Sequence, residues 1–235
     1  MAIITPGAVD YHLACQSGGN LSINPQSPIS LMCWLNATWN GGARISMIGA
    51  YNSATSGGTA IQFGTSAGTG DCAIWTWGGT VLCTTATGLM TNGVWYHIGY
   101  TYDGTTHTIY VNGVSQGTST TAQLAGTITS MYVNGYPTGG TSETGTFSVG
   151  DIRYFNRALS AAEVGTAYVS AGKRDGLDYG IVANMLLNEG SIGTTANLCL
   201  DYSGNGNSLT PIGAATGVNF TYTTGMAGLN ERMPL

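Results

Sequence analysis

Residues 95–113, WYHIGYTYDGTTHTIYVNG, constrain the fold more than any other stretch of this chain. Two aromatic and β-branched runs are joined at Asp103-Gly104 and closed by a second turn at Asn112-Gly113. Asp-Gly and Asn-Gly provide the positive φ that tight hairpin turns require, and Tyr, Ile, Thr and Val suit a pleated, half-buried surface. The pattern predicts an antiparallel hairpin. Alternation sorts its first strand into two faces, Tyr96, Ile98, Tyr100 and Tyr102 on one and Trp95, His97 and Thr101 on the other.

The rest of the chain continues in short strands. Residues 29–38 read as a buried strand, 60–63 as a short one, and 71–84 as a hairpin about Gly78-Gly79. Further strands are expected at 128–134, 146–155, 181–187 and 218–223. One helix stands out. Ser160-Ala-Ala-Glu163 has the form of a capping box, from which a helix should run to about Ser170 and end at Gly172. Many short strands with one short helix predict an all-β fold, an antiparallel two-sheet jelly-roll sandwich. With 235 residues and 43% hydrophobic content the chain can bury a sizeable core. A single domain over 1–235 is expected, although Lys173–Gly176 has the composition of a linker.

Charge excludes some functions. Only 7% of residues are charged, Lys173 is the sole lysine, and the formal net charge is -5. Nucleic-acid binding needs a basic stripe, which is missing here. No apolar run approaches the roughly 18 residues that span a bilayer. The first residues lack the basic and long apolar regions of a signal peptide, so the chain is expected to be made in a cytoplasm. So few charges suit a surface carried by hydroxyls and amides, or one covered by other protein. Five cysteines, an odd number set in apolar strands, are expected to be buried reduced thiols. Cys72 and Cys83 could be cross-strand neighbours, but no Cys or His spacing suggests zinc.

Three segments together resemble the laminin-G-like, concanavalin A-like jelly-roll family: residues 95–113, then 151–168 (DIRYFNRALSAAEVGTAY), then Asp201-Tyr-Ser-Gly-Asn-Gly-Asn207. In many members the last motif precedes the first core strand, whereas here it follows the helix. The resemblance therefore implies a circularly permuted sandwich, in which 181–187 fills an N-terminal strand's place and 173–235 completes the fold.

The family hosts glycoside hydrolases, which need two carboxylates facing across a cleft. The four glutamates, Glu143, Glu163, Glu189 and Glu231, have no acidic neighbour two residues away, and no nucleophile elbow flanks His12, His97 or His107. No catalytic residue is assigned. Family members often hold a cation at the rim, and Asp201, Asn205 and Asn207 could offer calcium oxygen ligands; an Asx-rich turn bonding its own backbone explains the same residues. Carbohydrate binding would use an aromatic platform, for which Trp75 and Trp77 on one face, and Trp95 with His97 on another, are the candidates.

The leading expectation is a non-enzymatic structural or binding protein. The resemblance extends to tailed-phage virion proteins, which implies a virion surface component such as a capsid decoration (cement) protein. It would be homo-oligomeric and attached to partners such as the major capsid protein. The alternative is a lectin-like glycan-binding module, and a glycoside hydrolase is the remote one.

Overall fold

The computed structural model describes residues 2–4, 12–15, 21–38, 45–51, 58–63, 71–76, 79–134, 146–171, 175–187, 198–212 and 221–223. Fifteen strands and one helix are described, and the strands form two antiparallel sheets. In chain order the strands are β1 (Ala2–Ile4), β2 (His12–Cys15), β3 (Ile29–Ala37), β4 (Ile45–Tyr51), β5 (Gly58–Phe63), β6 (Cys72–Trp75), β7 (Val81–Thr84) and β8 (Trp95–Tyr102). They continue as β9 (His107–Val111), β10 (Val114–Ser119), β11 (Ser130–Val133) and β12 (Phe147–Phe155). After helix α1 (Ala161–Ser170) come β13 (Ile181–Met185), β14 (Thr210–Ile212) and β15 (Thr221–Thr223). One sheet has the order β10-β9-β8-β3-β12-β1-β15, with β13 also on β12; the other runs β14-β2-β11-β4-β5-β6-β7. The expected jelly-roll sandwich is present.

The opening hairpin forms as its turn residues require. Asp103 Oδ1 accepts from the amides of Thr105 and Thr106 at 2.8 and 2.7 Å, which holds its carboxyl below the usual range. Asn112 and Gly113 both have positive φ, 51° and 77°, the two-residue turn matched to strand twist. The tyrosine face packs inward: Ile98, Tyr100 and Tyr102 lie in the core between the sheets. There Tyr100 donates to His107 Nδ1 at 2.8 Å, while His107 Nε2 lies 2.7 Å from the Thr121 carbonyl. A carbonyl can only accept, so Nε2 carries a proton, and burial lowers the His107 pKa and so favours the neutral ring, whose Nδ1 then accepts from Tyr100.

Strand β3 explains its own weak alternation. Ile29, Leu31, Cys33 and Leu35 face the inter-sheet core, while Met32 and Trp34 on the other face pack under α1 and its flanking residues. Apolar residues are needed on both sides. Cys33, Cys72, Cys83 and Cys199 are buried thiols; burial pushes that of Cys83 up to about 12. Cys83 stands opposite Ile74, so Cys72 is not its direct cross-strand partner.

The helix is capped as expected. Ser160 Oγ accepts from the Glu163 amide, and Glu163 Oε2 accepts from the Ser160 amide at 2.8 Å. Its C-terminal cap is Ala171 in the left-handed conformation (φ 47°), whereas the expected Gly172 lies outside the described residues.

The two sheets close on each other where β10 meets β7. A Cβ at Gly117 would lie 2.6 Å from the Thr84 carbonyl oxygen, a backbone atom that cannot rotate away. Gly165, by contrast, is helical and has open space around it. Gly117→Ala is therefore expected to destabilise the protein by about 1–3 kcal/mol, and Gly165→Ala to stabilise it by up to about 1 kcal/mol. Urea unfolding of the two variants checks both signs.

Candidate functional site

The two candidate aromatic sets lie on different sheets, and the one containing Trp95 and His97 lies under the helix. Trp95 and His97 point to the outer face of the eight-stranded sheet, and that face is covered by α1. Val164 sits over Gly99, where a Cβ would lie 3.0 Å from Val164 Cγ1. Tyr168 stacks on Trp34 with centroids 5.6 Å apart, and the His97 ring lies 5.4 Å from Trp34 and 6.0 Å from Tyr168. His97 is 1% exposed, so it is a packing residue of the helix–sheet contact and cannot form the sugar platform expected of it. Trp95 remains half-buried at the margin of this cluster.

Trp75 lies on the other sheet. Cys72 and Ile74 point into the core, so Trp75 faces outward from β6, half-buried, on the opposite side of the sandwich from Trp95. Trp77 lies outside the described residues.

Beneath α1 is a buried ionic centre that the sequence reading missed. Asp151 interrupts β12 with φ 50°, and the pairing with β3 shifts register between Gly150 and Arg153. Arg153 donates from Nε to Asp151 Oδ1 at 2.7 Å and from Nη2 to Asp151 Oδ2 at 3.0 Å. Its Nη1 reaches Asp175 Oδ2, which also accepts from Ser170 Oγ near the helix C-terminus. All three charged side chains are 3–6% exposed. The available signal was an Asp-x-Arg pair inside an apolar strand of a chain with few charges. The Arg153 guanidinium and hydrogen bonds hold Asp175 below the usual carboxylate range against the opposing effect of burial. The two carboxylates meet at Arg153, but an ionised, ion-paired carboxylate has no proton to donate.

Of the remaining acid–base candidates, the described Glu163 is also structural. Glu163 bonds Arg157 at 2.7 Å and closes the capping box, contacts that hold its carboxyl down at about 2. Glu143, Glu189 and Glu231 lie outside the described residues, as does the His12 side chain.

The Asp201 loop clasps β13. Asp201 Oδ1 accepts from the amides of Asn184 and Ser203, both at 2.9 Å. Asp201 Oδ2 accepts from Ser203 Oγ and the Asn207 amide, both at 2.8 Å. Asn205 and Asn207 donate through Nδ2 to the Val182 carbonyl at 3.1 and 2.9 Å. A carboxylate has about four lone-pair sites, and here the chain's own donors fill that number. The geometry is that of the Asx turn, and among the described residues no cluster of His, Cys, Asp or Glu suits a metal.

One concave surface lies beside the helix. A cleft of about 670 Å³ separates α1 from the Asn112-Gly113 turn, lined by Val114, Gly165, Thr166, Tyr168, Val169 and Asp175 among others. Its outer valines are open to solvent, Val114 at 61% and Val169 at 64%. The lining is mainly apolar. It suits an apolar side chain better than a charged ligand.

The sealed helix contact has a measurable pH signature. Burial, helped by the Arg153 guanidinium and opposed by Asp175, lowers the His97 pKa from 6.5 to about 3. The unfolded chain therefore takes up the proton first. The resulting stability is complete above about pH 6.5 and is lost as pH falls toward about 3, by about 1.4 kcal/mol per pH unit. In His97→Gln the slope of unfolding free energy between about pH 4.5 and about pH 6 should be shallower by one proton. An unchanged slope would mean that His97 titrates normally in the folded state.

The Laminin_G_3 family model, described as the concanavalin A-like lectin/glucanases superfamily, matches residues 11–165. Comparison with curated proteins by sequence finds no match. Similar solved structures include a heptameric SAP-like pentraxin from Limulus polyphemus (TM-score 0.61, 12% identity, 96% of this chain and 97% of that one). A "putative carbohydrate binding protein" from Bacteroides ovatus has TM-score 0.59 and 13% identity over 95% of this chain and 60% of that one. The binding domain of botulinum neurotoxin serotype G has TM-score 0.53 and 14% identity over 69% and 41%. At these identities the likeness is one of fold. Strands β13–β15 lie beyond the matched residues yet pair into both sheets. With about two thirds of its length matched by that one model, the chain belongs to the laminin-G-like family of the concanavalin A-like lectin/glucanases superfamily.

Proposed function

We propose that this chain is a non-catalytic binding module that works as a sparsely charged surface component of a larger assembly, a virion being the setting. In this reading residues 1–235 act as one unit, with 173–235 completing the sandwich, and the partners are further copies of the chain and a lattice such as a capsid shell. The observation that carries it is the outward face of α1 and the β9–β10 turn. There Val114 and Val169 are exposed around a mainly apolar cleft, on a chain with only 7% charged residues. Contiguous exposed apolar surface is characteristic of protein contact sites. The described carboxylates near the helix are committed to Arg153 and to the helix cap, which supports a non-catalytic role.

A second reading is favoured by one observation, the half-buried Trp75 on the outer face of the seven-stranded sheet. An aromatic ring there, in a superfamily named for lectins, supports glycan binding.

Co-sedimentation of the purified chain with phage heads lacking it separates the two. Saturable binding at a fixed ratio to the shell protein is expected. No binding to heads, together with glycan-array signals that disappear in Trp75→Ala, would replace the assembly reading with the lectin one.

A further inference from the structure

The end strand of the larger sheet and the cleft beside the helix meet at Val114. Strand β10 closes the eight-stranded sheet, and among the described residues no strand pairs with its outer side. Its sequence, VSQGTS, has no lysine, no proline and no charge, devices by which edge strands resist pairing. The other end strands are shorter: β14 and β15 have three residues each, β14 including Pro211, and β7 has four. Val114 begins β10 and also lines the cleft, across which stands Val169. Among the described residues lining the cleft, Asp175 is the only charged one, and its side chain is 5% exposed and paired with Arg153. A partner would therefore meet exposed valines beside a strand edge that no described strand covers.

We propose that this edge and cleft form a two-fold contact between two copies of the chain, with β10 antiparallel to β10 and Val114 and Val169 packed across the axis. The inference rests on the assembly reading above and names the surface it would use. Two features select a second copy. An antiparallel edge pairing is self-complementary about a two-fold axis, so one uncharged strand satisfies both sides. The strand itself, VSQGTS, also carries no charged side chain to repel its own image. The ladder is short. β10 bulges between Ser115 and Gly117, and Gly117 is held against the Thr84 carbonyl, which confines pairing to the Val114 end. Side-chain packing around Val114, Val169 and Tyr168 must then supply most of the contact.

Sedimentation equilibrium of the full chain from about 1 to about 100 µM tests this. A dimer is expected, weakened about 30-fold or more by either Val114→Glu or Val169→Glu because each buries an unpaired charge. Both side chains are solvent-exposed in the single chain, so thermal midpoints should hold, showing that the variants fold. Tyr202→Glu, 48% exposed beside β13 on the other side of β12 from β10, should leave the dimer intact. A wild-type monomer across the range, or a dimer that survives both glutamate variants, overturns the inference. If the wild type is monomeric but Val114→Glu abolishes attachment to heads, a different protein occupies the face; the second-copy inference fails and the assembly reading stands. A valine-dependent dimer that ignores heads supports the inference and removes that assembly reading.

Discussion

The paired Asp151 and Arg153 on β12 are the constraint from which much of the molecule follows. Phe147 and Val149 face the inter-sheet core before the bulge, and Ile152 and Tyr154 face it afterwards. A strict two-residue alternation cannot step from 149 to 152; the extra residue at Asp151 makes that step. The bulge also divides one edge of β12 between two partners. β1 pairs at Ser148 and Val149, and β13 pairs from Ile152 to Phe155. Arg153, emerging beyond the bulge, then reaches both Asp151 and Asp175. Burying three charges is costly unless each is paired, and removing one member leaves the others uncompensated. The network thus joins the strand to Asp175, which also binds Ser170 at the end of α1.

That tie decides which surfaces are available. With α1 held down, Val164 and Tyr168 seal the outer face of the eight-stranded sheet, and His97 becomes a neutral packing residue. Ser30 reinforces the cover from β3, donating to the Arg157 carbonyl and accepting from the Leu159 amide. The surfaces left open lie at the margins: the cleft beside the turn, the edge of β10 and the separate surface around Trp75.

Much of the fold was legible because its signals are local. Asp103-Gly104, Asn112-Gly113 and the Ser160–Glu163 box depend on residues within four positions of one another, and each forms as expected. The two faces of β8 followed from alternation alone, and the structure turns the tyrosine face inward. What the sequence concealed was non-local. Whether the Trp95–His97 face meets solvent depends on a helix some 60 residues away, and Arg153 finds Asp175 at a separation of 22. The strand at residues 146–155 was visible, but its change of phase at Asp151 was not, because residues on both of its faces are buried and no polar–apolar alternation marks the step. Strands β1, β2, β4, β10 and β14 were not read as strands, since short Ala-, Ser- and Gly-containing segments carry little intrinsic β signal.

Native-state hydrogen exchange on Arg153→Met tests the central claim most directly, because it reads the helix and the sheets separately. If the buried network clamps α1, amides of residues 164–170 should lose most of their protection while β3 and β8 keep theirs. Unchanged protection across α1 would show that apolar packing alone holds the helix, and would contradict a clamping role for Asp151, Arg153 and Asp175.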